Sequence, residues 1–288
     1  MTAPSGKVDQ GRLELGLQYL RDQGIAYEVG ETCSSEFRYL AGKDALRARE
    51  FEDAWCRDDL DAVLCARGGY GAMRLFPLLD WERMKAYENV LLGHSDVTAL
   101  HCAFASKGLS PSVSSVMVAA EMARKKDSLT AKTLQASLSL DARYDFFSAC
   151  DVTIVKPGVA RGRLYPVTLS VLTYLLHTEF LPDFTGAILC VEDVNEATYK
   201  LDCFFTQLEQ AGVLSQLGGL ILGDFTGALE EDGLSGLENE VANKVAGPVL
   251  RVREFGHCLP RLNLPFNREV ELFARDAKKV SLRLSKGA

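Results

Sequence analysis

Histidine is scarce in this sequence, four residues among 288. None falls in H-E-x-x-H or beside other clustered ligands, so no metal site is expected. The eight cysteines form no C-x-x-C pair. In settings such as Val63-Leu64-Cys65-Ala66 and Ile188-Leu189-Cys190-Val191 they read as reduced core residues. No apolar run approaches the roughly 20 residues needed to cross a bilayer. The start, Met1 to Lys7, lacks the apolar stretch of a signal peptide. The expectation is a cytoplasmic protein with no membrane partner. Basic clusters are few as well. Beyond Arg124-Lys125-Lys126 there is no dense Lys/Arg run, and a net charge of −7 argues against general nucleic-acid binding.

What remains is an ordinary globular composition, 47% hydrophobic and 25% charged, in a chain long enough for two domains. Leucines 13, 17 and 20 recur at helical spacing before Gly24, and residues 25–29 form a strand candidate. Residues 44–57 read as a charged, exposed helix, 61–66 as a buried strand, and Arg67-Gly-Gly-Tyr-Gly71 as a turn. Helices to Leu79 and over 81–87 precede a buried strand ending at Leu92. Strand–helix alternation predicts an α/β fold with a doubly wound parallel sheet, ligands lying at the carboxyl ends of its strands. The glycine turn fits neither G-x-G-x-x-G nor a P-loop, so no nucleotide cofactor is expected. A change of character over 141–160 puts the domain boundary there, giving 1–147 and a smaller mixed α/β domain 148–288. In the latter, 164–176 reads as mostly helical, 185–191 and 220–223 as strands, 201–211 as a helix, and the end as two strands.

Gly93-His94-Ser95-Asp96 sits where a strand turns abruptly into a helix. Such a junction presents a serine at the sheet edge beside the backbone N–H groups of the new helix, as a nucleophile with an oxyanion site requires. The G-x-S-x-G pattern lacks its second glycine here, and a plain helix cap by Ser95 or Asp96 is the competing reading. For a base, His94 diverges from Ser95, while His101 and His177 belong to helices. His257 follows Gly256 in a loop near expected strands, and Glu192 ends a strand where it would orient an imidazole.

Several segments together resemble the serine LD-carboxypeptidase family, which includes murein tetrapeptide carboxypeptidases and microcin C immunity peptidases. They are Ala3-Pro-Ser-Gly6, Tyr39-Leu-Ala-Gly42, Arg67-Gly-Gly-Tyr-Gly71 with Arg74-Leu75, and Gly93-His-Ser-Asp96. Val191-Glu-Asp-Val-Asn-Glu196, Ile221-Leu-Gly-Asp-Phe-Thr226 and Phe255-Gly-His257 with Pro265 continue the series in order. The resemblance implies a Ser95–Glu192–His257 triad assembled between two domains, with Gly69 and Asp96 backbone N–H groups as oxyanion donors. It further implies release of a terminal D-alanine from a muropeptide tetrapeptide or short D-alanine-ended peptide, no cofactor, no metal, and a homodimer. For the substrate, Arg67 and Arg74 are candidates for its carboxylate, with Tyr70 and Tyr165 beside them.

The chain departs from the family pattern in three places. Only Met1-Thr2 precede Ala-Pro-Ser-Gly, so the first strand is missing or cut short. Ser115-Val116-Met117 replaces Gly-Pro-Met, and Tyr165-Pro166-Val167-Thr168 replaces Trp-Gly-Gly-Asn, changing backbone freedom and an amide in the expected pocket. Two alternatives therefore stand beside the carboxypeptidase: a same-fold hydrolase of peptidyl or aminoacyl nucleotides, and a non-catalytic muropeptide binder.

Overall fold

Three short strands, each with a buried central residue or pair, set the first layer of structure. The computed structural model describes residues 1–109, 111–124, 127–228, 233–276 and 279–285; Lys125 and Lys126 of the basic run lie outside them. The chain divides into two compact units, Met1–Asp127 and Ser128–Ala288. In the first, helix α1 (Gln10–Asp22) is capped by Asp9, whose carboxylate accepts from Arg12 N, and buries Leu13, Leu17 and Leu20. Helix α2 (Asp44–Trp55), strand β1 (Ala62–Leu64), the short helix α3 (Trp81–Met84) and strand β2 (Val90–Gly93) follow. Helix α4 (Thr98–Lys107) is buried throughout its first seven residues, so it lies inside the unit rather than on its surface. Strand β3 (Ser112–Ser114) completes a parallel run β1-β2-β3, with Ala62 opposite Val90 and Gly93 opposite Ser114. Thr2 makes one parallel bridge to Cys65, its N–H reaching Leu64 O at 3.1 Å. Residues 25–29 form no strand. Helix α2 is less exposed than its charge suggests, because Arg47 is fully buried.

The second unit contains helix α5 (Ser128–Ser139), strands β4 (Val152–Lys156) and β5 (Gly158–Thr168), helix α6 (Leu169–Tyr174) and strand β6 (Ile188–Val194). Helices α7 (Thr198–Gln210) and α8 (Val213–Gln216), strand β7 (Gly219–Thr226), helix α9 (Leu234–Lys244) and strand β8 (Val249–Val252) come next. Strands β9 (Leu264–Phe266), β10 (Arg268–Ala274) and β11 (Val280–Leu284) close it. Seven strands form one sheet in the order β11-β10-β5-β6-β7-β8-β4. Its centre, β5 to β8, is parallel, so the carboxyl ends of those strands open on one edge.

Two expectations about this half are corrected. The boundary falls twenty residues early in the chain, and the second unit is the longer one. Helix α5 belongs to it because Thr133 and Ser137 bond Asn263, and Thr130 Oγ1 accepts from Arg261 N at 2.9 Å. The stretch expected as helical from 164 is a strand to Thr168. It is apolar without alternation because a central parallel strand is covered on both faces. Pro166 is tolerated there because β10 pairs with β5 only as far as Leu164, leaving one ladder beyond it.

Candidate active site

Strand β2 ends at Gly93, His94 stays extended, and Ser95 then adopts φ 61°, a left-handed conformation unusual for a side-chain-bearing residue. A tight turn, Ser95–Val97, leads into α4. This is the strained strand-to-helix elbow expected of a nucleophile. The small neighbour that the motif lacks in sequence is supplied from across the fold. A Cβ on Gly68 would lie 2.7 Å from Ser95 Cβ, 2.8 Å from its Oγ and 3.3 Å from Asp96 N. His94 turns away: its Nε2 meets Glu121 Oε2 at 3.1 Å, and it is 2% exposed. His101 Nε2 meets the Gly93 carbonyl oxygen at 2.9 Å, fixing the strand end.

Gly68 O accepts from Gly6 N and from Arg67 Nε, each at 3.1 Å. In a trans peptide the next N–H points the opposite way, so the exposed Gly69, at φ 111°, turns its N–H away from those donors. Beyond it, the Asp96 carboxylate accepts from Ala72 N at 2.8 Å, and burial pushes its pKa above the ordinary range. Arg47 donates to the carbonyls of Pro4, Gly42 and Gly71 and pairs with Asp44. Its charge beside Asp96 partly offsets that burial. The glycine turn is thus pinned by two buried groups: Asp96, whose side chain the sequence also offers as a helix cap, and Arg47, which the sequence does not single out. A fully buried arginine on a helix that looks exposed leaves no trace in hydrophobic periodicity.

The expected substrate residues fare differently. Arg74 is forked onto Asp44, with Nε 3.0 Å from both oxygens and Nη2 2.5 Å from Oδ2, so its guanidinium is already engaged. Arg67 spends Nε on Gly68 O and Nη1 on Lys7 O at 2.8 Å. Tyr70 is 45% exposed and stands 6.0 Å from Tyr39, ring centre to ring centre.

In the second unit, His257 Nδ1 meets Glu192 Oε2 at 2.7 Å; Glu192 is 1% exposed and the imidazole 18%. Glu192 comes from β6. The pairing of β6 with β7 shifts register between Val191 and Asp193, and the loop carrying His257 docks there. Asp224 N donates to Phe255 O at 2.7 Å, and any side chain at Gly223 would collide with that carbonyl. Buried Arg261 donates to Gly256 O and lies over the Phe255 ring, holding the loop from its other side. The contact is the one a carboxylate makes when it orients an imidazole, with Oε2 facing Nδ1.

Tyr165 does not sit as a pocket residue. It is 3% exposed, packs edge-on against Phe184 and Phe266, and donates its hydroxyl to Asn267 Oδ1 at 3.1 Å. Thr168, three residues on, donates to Glu192 Oε1 at 2.5 Å.

Comparison with known proteins is consistent along the chain. Residues 1–115 match the LD-carboxypeptidase N-terminal domain and residues 161–272 the LD-carboxypeptidase C-terminal domain. A Streptomyces coelicolor protein bearing a provisional carboxypeptidase name is 38% identical over all of this chain and 93% of its own length. The murein tetrapeptide carboxypeptidase of Pseudomonas aeruginosa is 28% identical over 94% of this chain and 92% of its own. The crystal structure of a muramoyltetrapeptide carboxypeptidase from Oxalobacter formigenes superimposes with a TM-score of 0.85 at 26% identity, covering 99% of this chain and 98% of that one.

Proposed function

This chain belongs to the LD-carboxypeptidase family and is a serine-type carboxypeptidase, a hydrolase, and from that premise we propose that it releases the terminal D-alanine of a muropeptide tetrapeptide through an acyl-enzyme on Ser95. The observation that carries the reading is the Ser95 elbow, at φ 61° with Gly68 packed against its side chain. No ordinary helix cap needs either feature.

In the proposed reaction His257 Nε2 takes the Ser95 hydroxyl proton as Oγ attacks the peptide carbonyl carbon. The carbonyl oxygen gains the negative charge and is held by the N–H groups of Gly69 and Asp96, each worth about 3–4 kcal/mol in comparable sites. His257 then passes its proton to the departing amine, and D-alanine leaves. Water enters, gives a proton to the same nitrogen and attacks the acyl carbon; as the ester bond breaks, His257 returns that proton to Ser95 Oγ and the acid product leaves. Glu192 keeps the imidazole in the Nδ1–H tautomer and stabilises its charged form. Of the residues first expected at the substrate carboxylate, Arg67 is retained and Arg74 is assigned to bracing Asp44, with Tyr70 a side wall.

Among the described residues no helix is long and apolar enough to cross a membrane. A cytoplasmic role in cell-wall recycling and a homodimeric state complete the proposal; sedimentation at assay concentration measures the latter. A second reading, hydrolysis of peptidyl or aminoacyl nucleotides, draws on the replacement of a glycine pair by Pro166-Val167. A panel decides between them. D-alanine release from a disaccharide tetrapeptide, with acyl-sulfamoyl nucleotides untouched, is the expected result. The reverse pattern would favour the second reading, and tight binding of the tetrapeptide without release would mark a non-catalytic binder.

A further inference from the structure

The end of β5 is tied to the end of β6 at two successive points. Thr168 and Glu192 are partners in the parallel register, so their side chains leave the sheet on the same face. The Thr168 hydroxyl donates to Glu192 Oε1 at 2.5 Å, while Oε2 takes His257 Nδ1 at 2.7 Å. Thr168 is 4% exposed and Glu192 1%, so water does not compete freely for these bonds. One residue further along β6, Asp193 Oδ2 accepts at 2.7 Å from the N–H of Ser170, in the first turn of α6 after β5 ends at Thr168. A carboxylate with each oxygen engaged by a different partner cannot rotate without breaking one bond. Without the hydroxyl, Oε1 loses its short bond to Thr168, and one of the two hydrogen bonds that hold the carboxylate plane goes with it.

We propose that Thr168 is a positioning residue for the reaction: its hydroxyl fixes the plane of Glu192, and Glu192 in turn fixes the imidazole of His257. Thr168 touches no reacting atom. The inference rests on the reading of Ser95, Glu192 and His257 as one catalytic set. It also gives a role to a residue at which the chain departs from the pattern it resembles, through a hydrogen bond to a charged acceptor rather than a substrate contact.

The test is a double-mutant cycle on D-alanine release from a disaccharide tetrapeptide. Thr168→Val keeps shape and removes the hydroxyl; it lowers kcat about ten- to a hundredfold with KM within about twofold. Thr168→Ser keeps the donor and restores most of kcat. In a Glu192→Gln background, Thr168→Val has little further effect, because the residue acts through Glu192. The downfield proton resonance of His257 Nδ1–H shifts or broadens in Thr168→Val and returns in Thr168→Ser. Parent-like kcat in Thr168→Val, or the same loss in both backgrounds, overturns the proposal. If Thr168→Val does not fold, Thr168→Ala against Thr168→Ser carries the same comparison. The parent reading has its own controls: if Glu192→Gln and His257→Ala both keep parent kcat, the catalytic set is wrong and the role of Thr168 falls with it. If they abolish turnover while Thr168→Val does not, only the role of Thr168 is lost.

Discussion

Gly68→Ala puts one methyl group against the nucleophile. Gly68 is not at positive φ, so alanine meets no backbone penalty and the effect is steric. Its Cβ would stand 2.7 Å from Ser95 Cβ and 2.8 Å from Oγ. Comfortable contact begins near about 3.5 Å, so one side must give way by about 0.7 Å or more. Neither is free to do so. Gly68 O is held by Gly6 N and Arg67, and Ser95 is confined to its left-handed turn between His94 and α4. Overpacking of this kind costs about 1–3 kcal/mol of stability. A displacement approaching 1 Å at a reacting atom costs about a hundredfold in rate. The expected outcome is a fall of about a hundredfold in kcat for D-alanine release, with a folded protein by circular dichroism. A parent-like kcat would refute the claim that Gly68 is small because Ser95 needs the space.

Other outcomes follow from the same structure. Gly236→Ala, inside α9 with nothing within 4 Å of the added Cβ, raises stability by up to about 1 kcal/mol in urea denaturation and leaves kcat unchanged. Burial raises the Asp193 carboxyl to about 6, so the fold prefers its protonated form; that contribution is present below about pH 4 and lost as pH rises through about 6. Asp193→Asn therefore gains on the parent by about 2–3 kcal/mol over that interval, and a gap independent of pH would contradict the assignment. Arg47→Met strips three backbone carbonyls of a buried donor, leaves Asp44 to Arg74 alone, and costs about 3 kcal/mol or more in chemical denaturation.

The turn at Ser95 and the strand-end place of Glu192 were readable because their parts are local. A strand, a glycine, a serine and a helix start within six residues leave a pattern, and so does a carboxylate at the end of an apolar strand. The α/β class and the later strands were legible through alternation and apolar runs. What escaped depends on contacts distant in sequence. Arg47 looks like one more surface charge until Pro4 and Gly71 close over it. Residues 164–168 looked helical because a strand buried on both faces loses the period of two, and Leu169 continues the apolar run into α6. The early boundary follows from α5, whose polar threonines and serine bond Arg261 and Asn263 more than a hundred residues later. Tyr165 was expected at the substrate because of its place in the pattern, yet aromatic neighbours on both sides make it core.

The central claim, that Ser95 is the nucleophile of a metal-independent D-alanine-releasing hydrolase, is tested most directly by one comparison. D-alanine release from a free disaccharide tetrapeptide is followed for the parent and for Ser95→Ala, both in EDTA. Release by the parent alone is the predicted result. Release by both proteins at comparable rates would contradict it.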